Sequence, residues 1–186
     1  MGLQNSHVLN NENKDYFFSV LQKYAEDNDP SQILPYLFVG TQYINNNPDI
    51  LIPLGITHMM NVAGEKVCEN TKLFERLPYL KYTKTISKDL RQEFNVLFAF
   101  IDHARYTGGK VVIHCENGRS RSTSVAIAYL MNRYGLTLNF AFNFVKSKRP
   151  CLRPRRCFVD LLESYEKELF DARNIPYINL KNKLSY

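Results

Sequence analysis

Short apolar runs in the first half of the chain, bounded by turn-forming residues, predict β-strands. Residues 33–40 (ILPYLFVG) are apolar on both sides of Pro35, which predicts a strand or a hairpin entering a core. Residues 57–62 (THMMNV) predict a buried strand, and residues 79–86 give a weaker strand signal. The apolar residues of the stretch 63–79 show no clear helical or strand spacing, so we expect this stretch to be irregular.

The second half of the chain alternates strand and helix signals more clearly. Residues 110–114 (KVVIH) form a short apolar strand pattern, and residues 124–134 are apolar almost all round, as in a buried helix. Other helices are predicted at Phe94–Ala104 with Gly108 as the stop, at 137–148, and from Pro154 onward. Interleaved strands and helices predict an α/β fold, with a mixed central sheet flanked by helices.

A length of 186 residues fits one domain with short extensions. We expect an N-terminal extension at 1–30, made of a polar arm and a short amphipathic helix at 16–25. The domain itself is expected at 31–170, followed by a C-terminal tail at 171–186. The first residues lack the apolar core of a secretion signal, which favours a cytoplasmic protein, with nuclear or peripheral membrane placement as alternatives.

Charge and cysteine content narrow the classes of partner. The net charge is +6, although the first 30 residues alone sum to −3, so the rest of the chain favours phosphorylated or polyanionic partners. The four cysteines form no CxxC pair and there are only four histidines. We therefore expect no metal site, no cofactor and no disulfide framework.

The segment 114–122 (HCENGRSRS) lies between a predicted strand and a predicted buried helix. Such a loop aims several backbone N–H groups and the positive end of a helix dipole at one point, which makes an anion cradle. Gly118 lets the loop curve, and Arg121 can bind two phosphate oxygens with its guanidinium. We expect phosphate to be bound by the loop residues Glu116, Asn117, Gly118, Arg119, Ser120 and Arg121.

Cys115 lies at the base of this cradle, where the positive field favours the thiolate. A thiolate under a bound phosphate is a nucleophile aimed at phosphorus. Ser122 can donate a hydrogen bond to the sulfur and help it leave. His114 is expected to be a hydrogen-bonded structural histidine that tunes the cysteine.

These residues carry a family resemblance. HCENGRSRS resembles the HCxxGxSRS signature of the dual-specificity protein tyrosine phosphatases, and the similarity extends from about residue 32 to residue 169. The resemblance implies a single-domain phosphatase without a metal. Such an enzyme hydrolyses phosphotyrosine, phosphoserine and phosphothreonine in protein substrates through a cysteinyl-phosphate intermediate. It also implies a general acid, and Asp89 is the matching aspartate, on a loop that is shorter than usual; Glu93 is the fallback.

Two features leave the substrate open. Arg119 adds a positive charge inside the loop, which could attract a polyphosphorylated substrate or point to solvent. The basic run 146–156 is a solvated face or a docking site for an acidic partner, and Arg155 stands where the family usually has asparagine. The alternatives are a phosphoinositide, a phosphorylated glycan or an RNA 5′-phosphate as substrate, or a phospho-binding module of low activity. No other nucleic-acid partner is expected.

The sequence also raises two further hypotheses, one on acylation and one on a disulfide. Gly2 and Ser6 match the N-myristoylation pattern. One acyl chain would bind membranes only weakly, and the acidic arm adds no basic second signal. Cys68 could form a disulfide with Cys115, although the sequence does not place the two together.

Overall fold

The computed structural model describes residues 28–64, 70–85, 87 and 89–173. Within these residues a five-stranded sheet has the order β1-β2-β5-β3-β4. The first pair is antiparallel and the other neighbours are parallel. The strands are β1 (Ser31–Leu34), β2 (Leu37–Thr41), β3 (His58–Asn61), β4 (Lys81–Lys84) and β5 (Val111–Cys115). The mixed sheet and the hairpin around Pro35 are therefore confirmed.

Helices connect the strands and cover the sheet. They are a 3₁₀ helix (Gln42–Asn46), α1 (Pro48–Leu54), α2 (Thr71–Arg76), α3 (Leu90–Tyr106), α4 (Arg121–Tyr134), α5 (Leu138–Lys148) and α6 (Arg156–Ala172). The four helices predicted in the second half are confirmed. None of the helices described is long and apolar enough to cross a membrane.

One helix, α2, lies in the segment that we expected to be irregular. It is only six residues long. Asn70 caps its start by accepting a hydrogen bond from the backbone N–H of Lys72 at 3.2 Å. Leu73 and Leu77 are buried beneath it. Two apolar residues one turn apart are too few to reveal a helical period, so only tertiary packing shows this helix.

The sheet has a core on each face, because successive strand side chains point to opposite sides. In β2, Val39 joins the core under α3–α6, whereas Phe38 joins the core under α1 and α2. In β5, Val111 and Ile113 likewise face one way and Val112 the other.

Helix α4 is the centre of the larger core. It packs against β5, α3, α5 and α6, and every residue from 122 to 131 is buried. This explains its nearly uniform apolar sequence. The loop between β5 and α4 consequently lies at the carboxyl end of a central parallel strand, where open α/β sheets commonly bind ligands.

Several expectations fall outside the described residues. They are the polar arm, the helix at 16–25, the acylation of Gly2 and the pairing of Cys68, along with most of the C-terminal tail. The boundaries proposed for the domain remain predictions.

Candidate active site

The loop 116–120 joins the end of β5 to the start of α4 and forms one side of a pocket. The pocket encloses about 190 Å³ and is lined by Ala63, Cys115, Glu116, Asn117, Arg119, Ser120, Arg121, Arg153, Arg155 and Phe158. Gly118 has a positive φ of 60°. A Cβ atom there would lie 2.6 Å from the carbonyl oxygen of Gly40, so the turn requires glycine.

Cys115, which lines the pocket, is in contact with a buried serine of α4. The Sγ atom of Cys115 lies 3.2 Å from the Oγ atom of Ser122. Cys115 is 6% exposed and Ser122 is fully buried. Cys115 ends β5 and Ser122 is the second residue of α4, so their separation is set by two rigid elements rather than by the loop.

Arg121 is fixed to the wall of the pocket by the segment after β3. Its Nη1 donates to the carbonyl oxygen of Ala63 at 2.6 Å and to that of Val62 at 3.2 Å. The guanidinium also lies over the ring of Phe158, 5.8 Å from the ring centroid. Phe158 belongs to the helix predicted from Pro154 onward, and its place in the pocket depends on how α6 docks.

Positive charge dominates the pocket lining. Arg119, Arg121, Arg153 and Arg155 line it together with the single carboxylate of Glu116. Guanidinium groups gathered around a concave site raise the local concentration of anionic ligands.

Five of the six basic residues in the run 146–156 are exposed, and Arg149 alone departs from the solvated face that was one of the two readings of the sequence. Arg149 is 1% exposed and inside the protein. Arg153 and Arg155 line the pocket, while Arg156 pairs with Asp160 at 2.8 Å. Neighbouring arginines have different environments because the segment crosses from the core to the surface, which composition does not reveal.

His114 does not match its expectation. It is fully buried, and neither ring nitrogen has a hydrogen-bond partner among the described residues. The prediction that His114 is hydrogen-bonded is therefore wrong. Burial lowers the pKa of His114 to about 4, so the ring is neutral near pH 7.

Asp89 lies at the start of α3 and is not among the residues that line the pocket. Its carboxylate accepts a hydrogen bond from the backbone N–H of Arg91 at 3.0 Å, which makes it the helix N-cap. Glu93 accepts from the backbone N–H of Ser87 at 2.8 Å. Both candidate acids thus support the loop before α3, and an acid role for Asp89 stays a prediction.

The mixed α/β sheet places Cys115 and Arg121, six residues apart, at the two ends of a loop of the kind that can hold an anion. Residues 37–168 match the family described as dual specificity phosphatase, catalytic domain. The chain therefore belongs to the dual specificity phosphatases, a family of hydrolases.

Individual relatives agree with this assignment. Dual specificity protein phosphatase 1 of Arabidopsis thaliana is 34% identical over 153 residues, which cover 81% of this chain and 75% of that protein. Dual specificity protein phosphatase 1 of Homo sapiens is 34% identical over 142 residues, which cover 75% of this chain but only 38% of that protein. The chain therefore spans well under half of some of its relatives.

A solved structure supports the same fold. The structure of a mouse putative dual specificity phosphatase complexed with zinc tungstate has a TM-score of 0.70 and 30% identity, and covers 81% of this chain and 94% of that one.

Proposed function

We propose that this chain removes phosphate from phosphotyrosine, phosphoserine and phosphothreonine in proteins through a cysteinyl-phosphate on Cys115. The observation that carries the proposal is the contact of the buried Ser122 hydroxyl with Cys115, which lines a pocket together with four arginines. The mouse putative dual specificity phosphatase was solved complexed with zinc tungstate, and tungstate is a tetrahedral oxyanion like phosphate, which supports oxyanion binding by this chain.

In the first step the Cys115 thiolate attacks phosphorus. The sulfur–phosphorus bond forms as the bond to the leaving oxygen breaks, and that oxygen takes a proton from Asp89. Arg121 and the backbone N–H groups of 116–121 bind the equatorial oxygens and stabilise the charge that develops on them. Arg121 would exchange some of its bonds to the carbonyl groups of Val62 and Ala63 for bonds to phosphate.

In the second step water attacks phosphorus and releases inorganic phosphate. Asp89, now a carboxylate, accepts a proton from the water as the sulfur–phosphorus bond breaks. The electron pair returns to the sulfur, where the Ser122 hydroxyl donates a hydrogen bond to the thiolate. To serve in either step, the Asp89 side chain would have to turn away from the start of α3. Losing its capping hydrogen bond would cost only about 1 kcal/mol of stability.

The test of the nucleophile uses a matched pair of variants. Cys115→Ser should abolish hydrolysis of an aryl phosphate and of phosphopeptides, while phosphopeptide binding measured by calorimetry persists. Cys157→Ser makes the same change at an exposed cysteine on α6 and should leave hydrolysis unchanged. Turnover that survives in Cys115→Ser would contradict the proposal.

Arg119, Arg153 and Arg155 at the pocket favour substrates with a second negative group beside the phosphate that is cleaved. We expect a doubly phosphorylated peptide to have a higher kcat/KM than its singly phosphorylated forms. Arg155→Asn, which introduces the residue usual in the family, should reduce this ratio, and added salt should reduce it further. Phosphoinositides, phosphorylated glycans and RNA 5′-phosphates belong in the same panel, and a higher kcat/KM on one of them would replace the protein substrate.

A phospho-binding module is the second candidate, and one observation favours it: no carboxylate except that of Glu116 lines the described pocket. The human tyrosine phosphatase-like serine/threonine/tyrosine-interacting protein has a related fold, with a TM-score of 0.67 and 28% identity over 75% of this chain and 96% of that one. Tight phosphopeptide binding by the unmodified chain without measurable hydrolysis would establish this alternative.

A further inference from the structure

The connection between α5 and α6 holds three consecutive residues of the phosphate-binding loop. The Nε of Arg149 donates to the carbonyl oxygen of Gly118 at 2.6 Å. The backbone N–H of Arg153 donates to the carbonyl oxygen of Arg119 at 2.8 Å, and that of Arg155 donates to the Oγ of Ser120 at 2.9 Å. The loop is therefore supported by a segment that lies 31 to 35 residues further along the chain.

Arg149 is the side chain in this support, and it also reaches the edge of the sheet. Its Nη1 donates to the Oγ of Ser31 at 3.0 Å, to the carbonyl oxygen of Asp29 at 3.3 Å and to that of Val39 at 3.4 Å. A buried guanidinium is costly unless its donors are bonded, and here they join the loop to β1 and β2. Lysine would offer a single point of donation in place of this planar fork.

Holding a loop carbonyl group also orients the following N–H group. In a planar trans peptide the C=O of one residue and the N–H of the next point in opposite directions. Fixing the Gly118 carbonyl on Arg149 therefore turns the N–H of Arg119 to the opposite side of the loop. The bond from Arg153 to the Arg119 carbonyl does the same for the N–H of Ser120. Both Arg119 and Ser120 line the pocket.

We propose that Arg149 is a positioning residue of the phosphatase: it holds the Gly118 carbonyl so that the loop N–H groups are aimed at phosphate. The inference rests on the proposed function, since it assigns a role in the same site. Arg149 touches neither the substrate nor the sulfur in this proposal. It acts through the loop, so its loss should weaken oxyanion binding as well as turnover.

The test compares Arg149→Lys with Arg133→Lys. Arg133 is bonded to Asp102 through its Nε at 2.8 Å, at the far end of α4 from the loop. With activity expressed per folded molecule, Arg149→Lys should lower kcat/KM on an aryl phosphate about 100-fold, as expected when a positioned group shifts by about 1 Å. It should also raise the inhibition constant of orthovanadate, whereas Arg133→Lys should change neither quantity.

Three more variants separate positioning from stability. Ser31→Ala removes one partner of Arg149 without touching the loop, and should shift both quantities in the same direction by less. Arg149→Ala should regain turnover and orthovanadate affinity with added guanidinium at non-denaturing concentrations. Leu77→Ala, a core change beneath the opposite face of the sheet, should lose stability alone and show no rescue.

The outcomes are distinguishable. If folded Arg149→Lys keeps kcat/KM and the orthovanadate constant within about twofold of the unmodified chain, the positioning role is wrong. A loss that disappears once activity is corrected for the folded fraction would overturn it equally. If the unmodified chain hydrolyses nothing, the phosphatase proposal fails, but calorimetry with inorganic phosphate still tests whether Arg149 organises the loop.

Discussion

The Oγ atom of Ser122 lies 3.2 Å from the Sγ atom of Cys115, and both residues are buried. At this distance the Ser122 hydroxyl can donate a hydrogen bond to the sulfur of Cys115 when the cysteine is a thiolate. It would stabilise the charge that returns to the sulfur when the cysteinyl-phosphate breaks down. This contact therefore bears on the second chemical step more than on the first.

Ser122→Ala should slow hydrolysis of the intermediate. A hydrogen bond to a charged group contributes about 1.5–3 kcal/mol, so kcat should fall roughly 10- to 100-fold. Stopped-flow measurements with an aryl phosphate should then show a burst of phenol as the cysteinyl-phosphate accumulates. The matched control is Ser124→Ala, two residues further along α4, whose hydroxyl donates to the carbonyl oxygen of Ser120 at 2.8 Å. A Ser122→Ala variant without a burst or a fall in kcat would show that the hydroxyl does not assist departure of the sulfur.

The role of Asp89 can be tested without disturbing the fold. Asparagine caps helices about as well as aspartate, so Asp89→Asn should keep the start of α3 and the unfolding temperature. If Asp89 is the acid, kcat/KM should fall about 100- to 10,000-fold on alkyl phosphates, which have poor leaving groups. The loss should be much smaller on p-nitrophenyl phosphate, whose leaving group needs little protonation. Equal activities of the two proteins on alkyl phosphates would assign Asp89 to the helix cap alone.

Buried histidines should make the fold less stable in mild acid. Burial lowers the pKa of His114 to about 4, and burial with Lys81 and His103 nearby lowers that of His58 to about 4. Unfolded histidine titrates near pH 6.5, so between these values the unfolded chain binds protons that the folded chain does not. The stability that the two neutral histidines contribute is fully present above about pH 6.5 and is lost as the pH falls towards 4.

The contribution of His114 to this loss can be isolated. His114→Leu removes two ring nitrogens that have no partner among the described residues, so its stability at pH 7 should be equal or higher. Between pH 6.5 and 5, the loss of unfolding free energy should be smaller than in the unmodified chain, with His58 accounting for the slope that remains. Urea unfolding at a series of pH values measures both effects. An unchanged slope in His114→Leu would mean that His114 is not neutral in the fold.

Most of the fold could be predicted from the sequence, because apolar residues recur at a clear helical or strand spacing in the longer helices and strands. Cys115 and Arg121 were predicted to share one site, because they flank a glycine-containing loop that precedes the apolar stretch of α4. The structure places both residues in one pocket. The environments of single polar residues could not be predicted in this way. Arg149 lies in a basic run and was not distinguished from its neighbours, because its burial comes from contacts with β1, β2 and the loop. His114 lacks its expected partner for the same reason, since tertiary packing decides which donors reach a buried ring.

Gly118 and Gly108 offer a final test, because both have positive φ angles, 60° and 70°, but different surroundings. A Cβ atom on Gly118 would lie 2.6 Å from the Gly40 carbonyl oxygen and 2.6 Å from Nη2 of Arg149, whereas nothing lies within 4 Å of one on Gly108. Gly108→Ala should therefore cost only the backbone strain of about 1–2 kcal/mol and keep full activity.

Gly118→Ala carries the same strain and must also displace the loop from Gly40 and Arg149. We expect it to lose orthovanadate affinity and at least about 100-fold in kcat/KM, since a shift of about 1 Å in a positioned group has effects of that size. Thermal unfolding gives the strain that the two variants share, and the aryl phosphate assay gives the difference. If Gly118→Ala were as active as Gly108→Ala, the close approach of the loop to β2 would have no bearing on catalysis.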